Sequence, residues 1–464
     1  MASSSRDLTT GSVRKQLLLF AAPFLLTNLL QTLYNMSDTL IISYFIGKDA
    51  VDAAYSGGQV LNVAINIITG LSVGGTVVIG QLSGAKDNEK VKRTIGTFLS
   101  TMFIAGFVIT LFFAVFARQF LVLINTPTAL LDDATDFLRI YSYGILFLFG
   151  YNAIAAIFRG IGNSKVPMMI VLISSVLNTV LDLILIGPGT LILSRFGFQG
   201  WGLRGAAWTS TFAAFMSFAL AAIYLIRQKN LFRLTRNAFH VDGALLFRVL
   251  KVGIPSAIQS SIFSISLLLI VSRINIYDAG ATVGLGSKLD GLVLLPLNAL
   301  SAATSAMIAQ NLGARKIDRV RQTFSNSLLF GYLFAFLAFS VAHLLPKLLF
   351  RIVTPDADVI AQGVVYLRWT SFNYIFVTGL IMCNAVAIGS GNTVYPLCTT
   401  IMNAFVFRVP IALFFEQFLG YGLAGVFMGL GFANVGGTIA GFIYYRLGFW
   451  AKEKNHPAPK AQTT

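Results

Sequence analysis

Two aspartates stand where a charged side chain is hardest to accommodate. Asp38 lies in the apolar run that begins at Leu17, within Gln31-Thr32-Leu33-Tyr34-Asn35-Met36-Ser37-Asp38. Asp182 lies in another, within Asn178-Thr179-Val180-Leu181-Asp182. An ionisable group inside a hydrocarbon layer is costly, so it is read first as functional. On a helix, positions four apart share a face. Tyr34 therefore stands with Asp38, and Asn178 with Asp182. Both carboxylates fall in the N-terminal half of the chain and could meet in its interior. Together with amide and hydroxyl oxygens they offer hard ligands to a small cation; Asp38, Asp182 and Asn178 would be the metal ligands if that cation is Na⁺. Alternatively, the carboxylates take up and release protons near neutral pH. The competing reading is structural, with both acids merely fixing helix packing. Gln31, Asn35, Lys288 and Asp290 are further polar residues in apolar segments and are candidate cavity-lining groups. The i, i+2 spacing of Lys288 and Asp290 does not place them on one helix face.

The elements that must hold these residues are membrane spans. The chain has 464 residues, 56% of them hydrophobic and only 11% charged, whereas a soluble domain is nearer 25% charged. That excludes a soluble enzyme and a disordered chain. The apolar runs reach about 20 residues or more, enough to cross a hydrocarbon core. They are continuous rather than alternating, which excludes an outer-membrane barrel. Twelve spans are expected, near 17–46, 51–80, 95–122, 136–158, 166–187, 202–227, 249–277, 281–311, 323–350, 359–388, 395–418 and 422–446. The fold class is an all-α polytopic membrane protein.

The net charge of +16 would suggest a nucleic-acid partner in a soluble protein. Here it is read as topogenic, because the Lys and Arg cluster between the spans. Arg14, Lys15, Lys86, Lys90, Lys92, Arg93, Arg227, Lys229, Arg233, Arg236, Arg315, Lys316, Arg319, Arg321, Lys452 and Lys454 mark one set of connections and ends. Asp49, Asp52, Asp132, Asp133, Asp136, Asp356, Asp358 and Glu416 mark the other. The positive-inside rule then places both termini in the cytoplasm and the chain in the inner membrane, which needs an even number of spans. The polar start and the long run from Leu17 speak against a cleavable signal peptide. Cys383 and Cys398 are expected to be two buried small hydrophobes.

The chain repeats itself. Gly80-Gln81-Leu82-Ser83-Gly84-Ala85-Lys86 recurs as Ala309-Gln310-Asn311-Leu312-Gly313-Ala314-Arg315, and Gly160-Ile161-Gly162-Asn163-Ser164-Lys165-Val166-Pro167 as Gly389-Ser390-Gly391-Asn392-Thr393-Val394-Tyr395-Pro396. Both pairs are offset by 229 residues (310 − 81 and 389 − 160). Two pseudo-symmetric six-helix lobes follow, in the same orientation and related by an axis along the membrane normal. The expected divisions are a lobe over 13–227, a linker over 228–248, a lobe over 249–446 and a tail over 447–464. Two such lobes suit alternating access. Gly284-Leu285-Gly286-Ser287-Lys288 lacks the spacing of a phosphate-binding loop, so an ion gradient or the substrate's own gradient must supply the energy.

The duplicated Gln-x-x-Gly-Ala-[Lys/Arg] and Gly-x-Gly-x-x-x-x-Pro turns, with the Asn178-x-x-x-Asp182 pair, resemble those of the multidrug and toxic compound extrusion (MATE) transporters, over about residues 13–450. The resemblance implies a twelve-helix, two-lobe exporter that exchanges substrate for Na⁺ or H⁺. It implies an ion-coupling set of Tyr34, Asp38, Asn178, Asp182 and a hydroxyl at Ser210, with Thr209 its neighbour. It also links a bend at Pro23 to protonation of Asp38. Leu183 stands where relatives often have Pro. Ile258-Gln259-Ser260-Ser261 and the segment from Asn373 to Thr378 lack the acids of NorM-like relatives, which favours the DinF-like branch.

The resulting expectation is a non-enzymatic, secondary active multidrug exporter in the lipid bilayer, functional as a monomer. Its substrate would be an organic cation or other amphipathic small molecule. No cofactor beyond the coupling ion and no nucleic acid is expected. A flippase for a lipid-linked saccharide is the alternative. A membrane-embedded acyltransferase is disfavoured, because His240, His343 and His456 lie outside any catalytic grouping.

Overall fold

The computed structural model describes residues 7–186, 200–228 and 241–451. The tail from 452 and most of the expected inter-lobe linker, residues 229–240, lie outside them. Among the described residues all regular structure is helical, and twelve spans are long and apolar enough to cross a bilayer. In lipid the backbone must satisfy its own polar groups, and a helix does so within one segment.

The first half comprises α1 (Val13–Phe45), α2 (Lys48–Gly84), α3 (Asn88–Val115), α4 (Ala117–Leu123), α5 (Leu131–Gly160), α6 (Lys165–Leu185) and α7 (Gly202–Arg227). The second half comprises α8 (Gly243–Asn275), α9 (Gly280–Gly313), α10 (Ile317–Leu344), α11 (Pro346–Val353), α12 (Ala357–Thr370), α13 (Phe372–Gly389), α14 (Val394–Met402), α15 (Val409–Leu413), α16 (Leu423–Phe432) and α17 (Val435–Arg446).

Five expected spans are not single helices. The third breaks at Phe116, the ninth before Pro346, the tenth at Ser371 and the twelfth at Ala433-Asn434. The eleventh alternates α-helix with π-helical turns at Asn403–Arg408 and Phe414–Phe418, on either side of Pro410. A proline ring clashes with the preceding turn, and inserted π turns absorb that kind of mismatch.

The chain forms two compact units. One holds Leu26–Ile79 and Asp87–Ile254; the other holds Asp7–Leu25, Gly80–Lys86 and the chain from Pro255 onward. Thus α1, α2 and α8 each contribute to both units; the divisions of α1 and α8 lie at or just after a proline, Pro23 or Pro255, and that of α2 lies between Ile79 and Gly80. In the first unit α5 is the central helix, packed on α3 and α7. Gly106 lies under Phe149 and Gly150 under Phe218, so the backbones approach closely. In the second unit α13 takes the same place, packed on α9, α10 and α17.

The repeat read from sequence is a repeat in geometry. Lys86 and Arg315 both take positive φ, +56° and +58°, as do Gly162 and Gly391 at +87° and +86°. Gly160 faces the Thr76 carbonyl and Ile79, while Gly389 faces the Ser305 carbonyl and Ile308. Each of these positions is displaced by the same 229 residues from its counterpart.

In the second unit the segment Asp7–Ser12 is tied down by Gln310, Asn311 and Lys316 and, through most bonds, by Arg319. Arg319 donates through Nη1 to Gly11 O at 2.8 Å, through Nη2 to Leu8 O, Thr10 O and Gln16 Oε1, and through Nε to Asn311 Oδ1. Beneath it Leu8 is fully buried. Partial burial pushes the Asp7 carboxyl up, but Thr9 donors and the charges of Lys316 and Lys86 hold it below its ordinary value. Arg319→Ala is expected to free this segment at a cost of roughly 1–3 kcal/mol. Faster tryptic cleavage at Arg14 or Lys15 in detergent-solubilised protein would report it. Arg319→Lys should behave similarly, because an ammonium lacks the planar fork; unchanged cleavage in both variants would contradict this role.

Cys383 is buried in α13, but Cys398 is exposed, contrary to expectation. α14 turns that residue outward while Pro396 and Thr399 face inward.

Candidate functional site

The first unit brings Tyr34, Asp38, Asn178, Asp182 and Ser210 together from α1, α6 and α7. Asn178 and Asp182 share the inward face of α6, at 1% and 0% exposure. Thr209 on α7 donates to Asp182 Oδ1 and also to Ala206 O at 2.8 Å. One residue on, Ser210 Oγ lies 3.2 Å from Tyr34 OH. The two neighbouring hydroxyls thus divide the work, and the direct partner of Asp182 is Thr209 rather than Ser210.

Asp38 is half-buried on α1, close enough to Asp182 for that carboxylate's charge to act on it. Tyr34 and Tyr141, the latter on α5 and not singled out from sequence, lie within the same electrostatic neighbourhood. Four atoms in this cluster are buried without a protein partner: Asp38 Oδ1, Asp182 Oδ2, and Asn178 Oδ1 and Nδ2. Buried polar atoms are nearly always paired. Three acceptor oxygens left open around two like charges form a site shaped for a proton or a small hard cation, and the donor chemistry fits either. Gln31 and Asn35 are exposed on α1. Pro23 falls in the other unit, with the division just past it at Leu25/Leu26.

A family model described as MatE matches the chain twice, over residues 23–184 and 253–414. The chain belongs to the MatE family. Among curated relatives of this MatE protein, the "Probable multidrug resistance protein YpnP" of Bacillus subtilis is 30% identical over 453 residues, covering 97% of this chain and 98% of that protein. A "Probable multidrug resistance protein NorM" of Thermotoga maritima is 23% identical, covering 95% and 94%. The "FAD transporter" of Shewanella oneidensis is 24% identical, covering 80% of each. Among solved structures, one described as the outward-facing conformation of a multidrug resistance MATE family transporter superposes with a TM-score of 0.87 at 22% identity. It covers 96% of this chain and 98% of that one. A MOP superfamily transporter from Pyrococcus furiosus, described as having reverse polarity of its binding pocket, gives the same TM-score, identity and coverage. These likenesses establish the fold.

The second unit of the MatE protein holds polar groups that the sequence did not pair. Arg273 and Glu416 form a bidentate ion pair, with Nη2 to Oε1 at 2.6 Å and Nε to Oε2 at 3.1 Å. Tyr277 OH donates to the same carboxylate at 3.1 Å. Glu416, read among the acidic connections, is instead buried in a π-helical turn, because Arg273 satisfies it there. Asn403 donates to Asn434 Oδ1 at 3.1 Å, and Asn434 donates to Asn373 Oδ1 at 2.7 Å. This amide ladder crosses the irregular parts of the tenth to twelfth spans. Arg408 is buried and donates to Ser266 Oγ. Lys288 is exposed, whereas Asp290, two residues on, turns away and accepts from two tyrosines. The 100° rotation per residue separates them, as the spacing indicated.

Proposed function

We propose that this protein is a secondary active exporter that moves organic cations or other amphipathic compounds out of the cell in exchange for H⁺ or Na⁺. The observation that carries the reading is the open carboxylate pair Asp38–Asp182. Asp38 Oδ1 and Asp182 Oδ2 lack protein partners, and the pair is flanked by Thr209, Ser210, Tyr34 and Asn178. The coupling ion is cargo, taken up there from one side of the membrane and released to the other. Asp38, Asp182 and Asn178 would ligate it if it is Na⁺; if it is H⁺, the carboxylates carry it. The missing acids in the spans of α8 and α13 support the DinF-like reading, with coupling in the first unit.

Ion binding favours one state of an alternating-access cycle and substrate binding the other, so ion entry drives substrate exit by linkage. Pro23 and the division beside it make α1 the natural hinge. The names of the relatives support drug-like substrates. Basic connections such as that around Lys86–Arg93 support cytoplasmic termini in the inner membrane. The cycle needs one chain, no resident cofactor, no covalent catalysis and no nucleic acid.

In proteoliposomes, an imposed Na⁺ or pH gradient is expected to drive movement of a fluorescent organic cation, and collapse of that gradient to stop it. Transport indifferent to both gradients would defeat the proposal.

A further inference from the structure

The second unit contains an intramembrane carboxylate that the coupling site does not use. Asp290 lies in α9, and each of its oxygens accepts a phenol hydrogen. Tyr366 OH reaches Oδ2 and Tyr374 OH reaches Oδ1, both at 2.6 Å. The tyrosines come from α12 and α13, on either side of the interruption at Ser371. Eight residues of straight helix would separate them by about 12 Å along the axis, yet both hydroxyls meet one carboxylate. Both rings are 2% exposed, while Asp290 is only half-buried. The two donors are fixed in the core, and the acid they hold is less deeply buried than they are.

A carboxylate fixed at both oxygens by single phenol donors is oriented without being neutralised. No basic side chain among the described residues forms an ion pair with it. Its surroundings are aromatic and aliphatic. Tyr366 packs edge-on against Phe427 at 5.1 Å, and Tyr366, Tyr374 and Phe427 belong to one apolar cluster with Leu289 and Val293. A small hard ion needs several open oxygen ligands, and both oxygens of Asp290 already accept a phenol hydrogen. One fixed negative charge beside aromatic rings matches a larger, weakly hydrated cation that brings its own apolar surface.

We propose that Asp290, positioned by Tyr366 and Tyr374, binds the cationic centre of a lipophilic organic cation. The inference rests on the exporter reading above and adds a substrate site in the second unit, separate from the ion site in the first. The probe is a fluorescent lipophilic cation titrated into purified, detergent-solubilised full-length protein and followed by polarisation. A neutral aromatic analogue of the same size serves as comparison. Asp290→Asn is expected to weaken cation binding at least tenfold and to leave the neutral analogue within twofold. Tyr366→Phe and Tyr374→Phe should each weaken the cation a few-fold, with thermal stability measured alongside.

Wild-type binding that Asp290→Asn leaves unchanged would overturn this site alone. Equal weakening of the cation and the neutral analogue would also overturn it, as the effect would then be on packing. Unchanged cation affinity with loss of ion-driven transport would assign Asp290 to coupling and overturn the substrate role. A wild type that neither binds nor transports the cation would defeat the exporter reading itself.

Discussion

Asp182→Asn is expected to bring efflux of an organic cation down to the level of cells lacking the protein, with normal amounts of folded transporter in the membrane. The amide keeps the shape of the carboxylate and can still accept from Thr209. It cannot carry a negative charge, so it can neither exchange a proton nor balance a cation. Asp38→Asn should have the same effect, because the two acids share one electrostatic neighbourhood and one ion must answer to both. Thermal stability should not fall. Removing one of two like charges from a buried site relieves repulsion and desolvation. That combination separates a coupling role from a packing role. Thr209→Val tests the geometry: it removes the hydroxyl donor and leaves Asp182 Oδ1 open as well. Transport should drop several-fold without vanishing, since the charge remains. Ser210→Ala, which removes only the Tyr34 contact, should do less. Efflux measured against expression, with a melting curve for each variant, checks all four. Normal efflux by Asp182→Asn would show that the carboxylate is structural.

Much of this architecture is legible in the sequence, for identifiable reasons. A span must be a long apolar run whatever it packs against, so twelve runs are visible before any contact is known. The turn at Lys86 and its copy at Arg315 are visible because glycine, glutamine and a cation recur at one offset, and the structure gives both the same left-handed backbone. Asp38 and Asp182 stand out because acids are rare among such residues.

The rest depends on distance in the chain or on a single-residue rotation. Arg273 and Glu416 are 143 residues apart, and nothing local relates them. Thr209 and Ser210 are adjacent hydroxyls pointing about 100° apart, so resemblance alone could not say which one reaches Asp182. The breaks at Ser371 and Ala433-Asn434 and the π-helical turns around Pro410 lie inside unbroken apolar runs. Hydropathy does not register a change of hydrogen-bonding pattern. That is why the meeting of Tyr366 and Tyr374 on Asp290 appears only in three dimensions.

The same repeat yields the largest expected loss of stability. In the second unit, the ends of α2 and α9 cross with their backbones in direct contact. A Cβ on Gly84 would overlap the Gln310 carbonyl oxygen, and a Cβ on Gly313 would overlap the Gln81 carbonyl oxygen. The obstruction is backbone on both sides, so no rotamer change can relieve it; the helices themselves must separate. Separation would disturb the bond from Gln81 Nε2 to Gly389 O, now 3.1 Å. Gly84→Ala and Gly313→Ala are therefore each expected to cost about 3 kcal/mol, the upper end for overpacking a well-packed site. Gly58→Ala, where a Cβ meets nothing within 4 Å, should be neutral or slightly stabilising, since alanine is the better helix former. The double variant Gly84→Ala/Gly313→Ala should cost clearly less than the sum of the two. Once one methyl has forced the crossing apart, the second finds space already opened, and coupling of this kind is expected between residues in one contact. Thermal unfolding of the three variants and the control, followed by intrinsic fluorescence in one detergent, measures this directly. Additive losses would mean that each methyl is accommodated by its own local shift. A neutral Gly84→Ala would mean that the two helix ends do not touch.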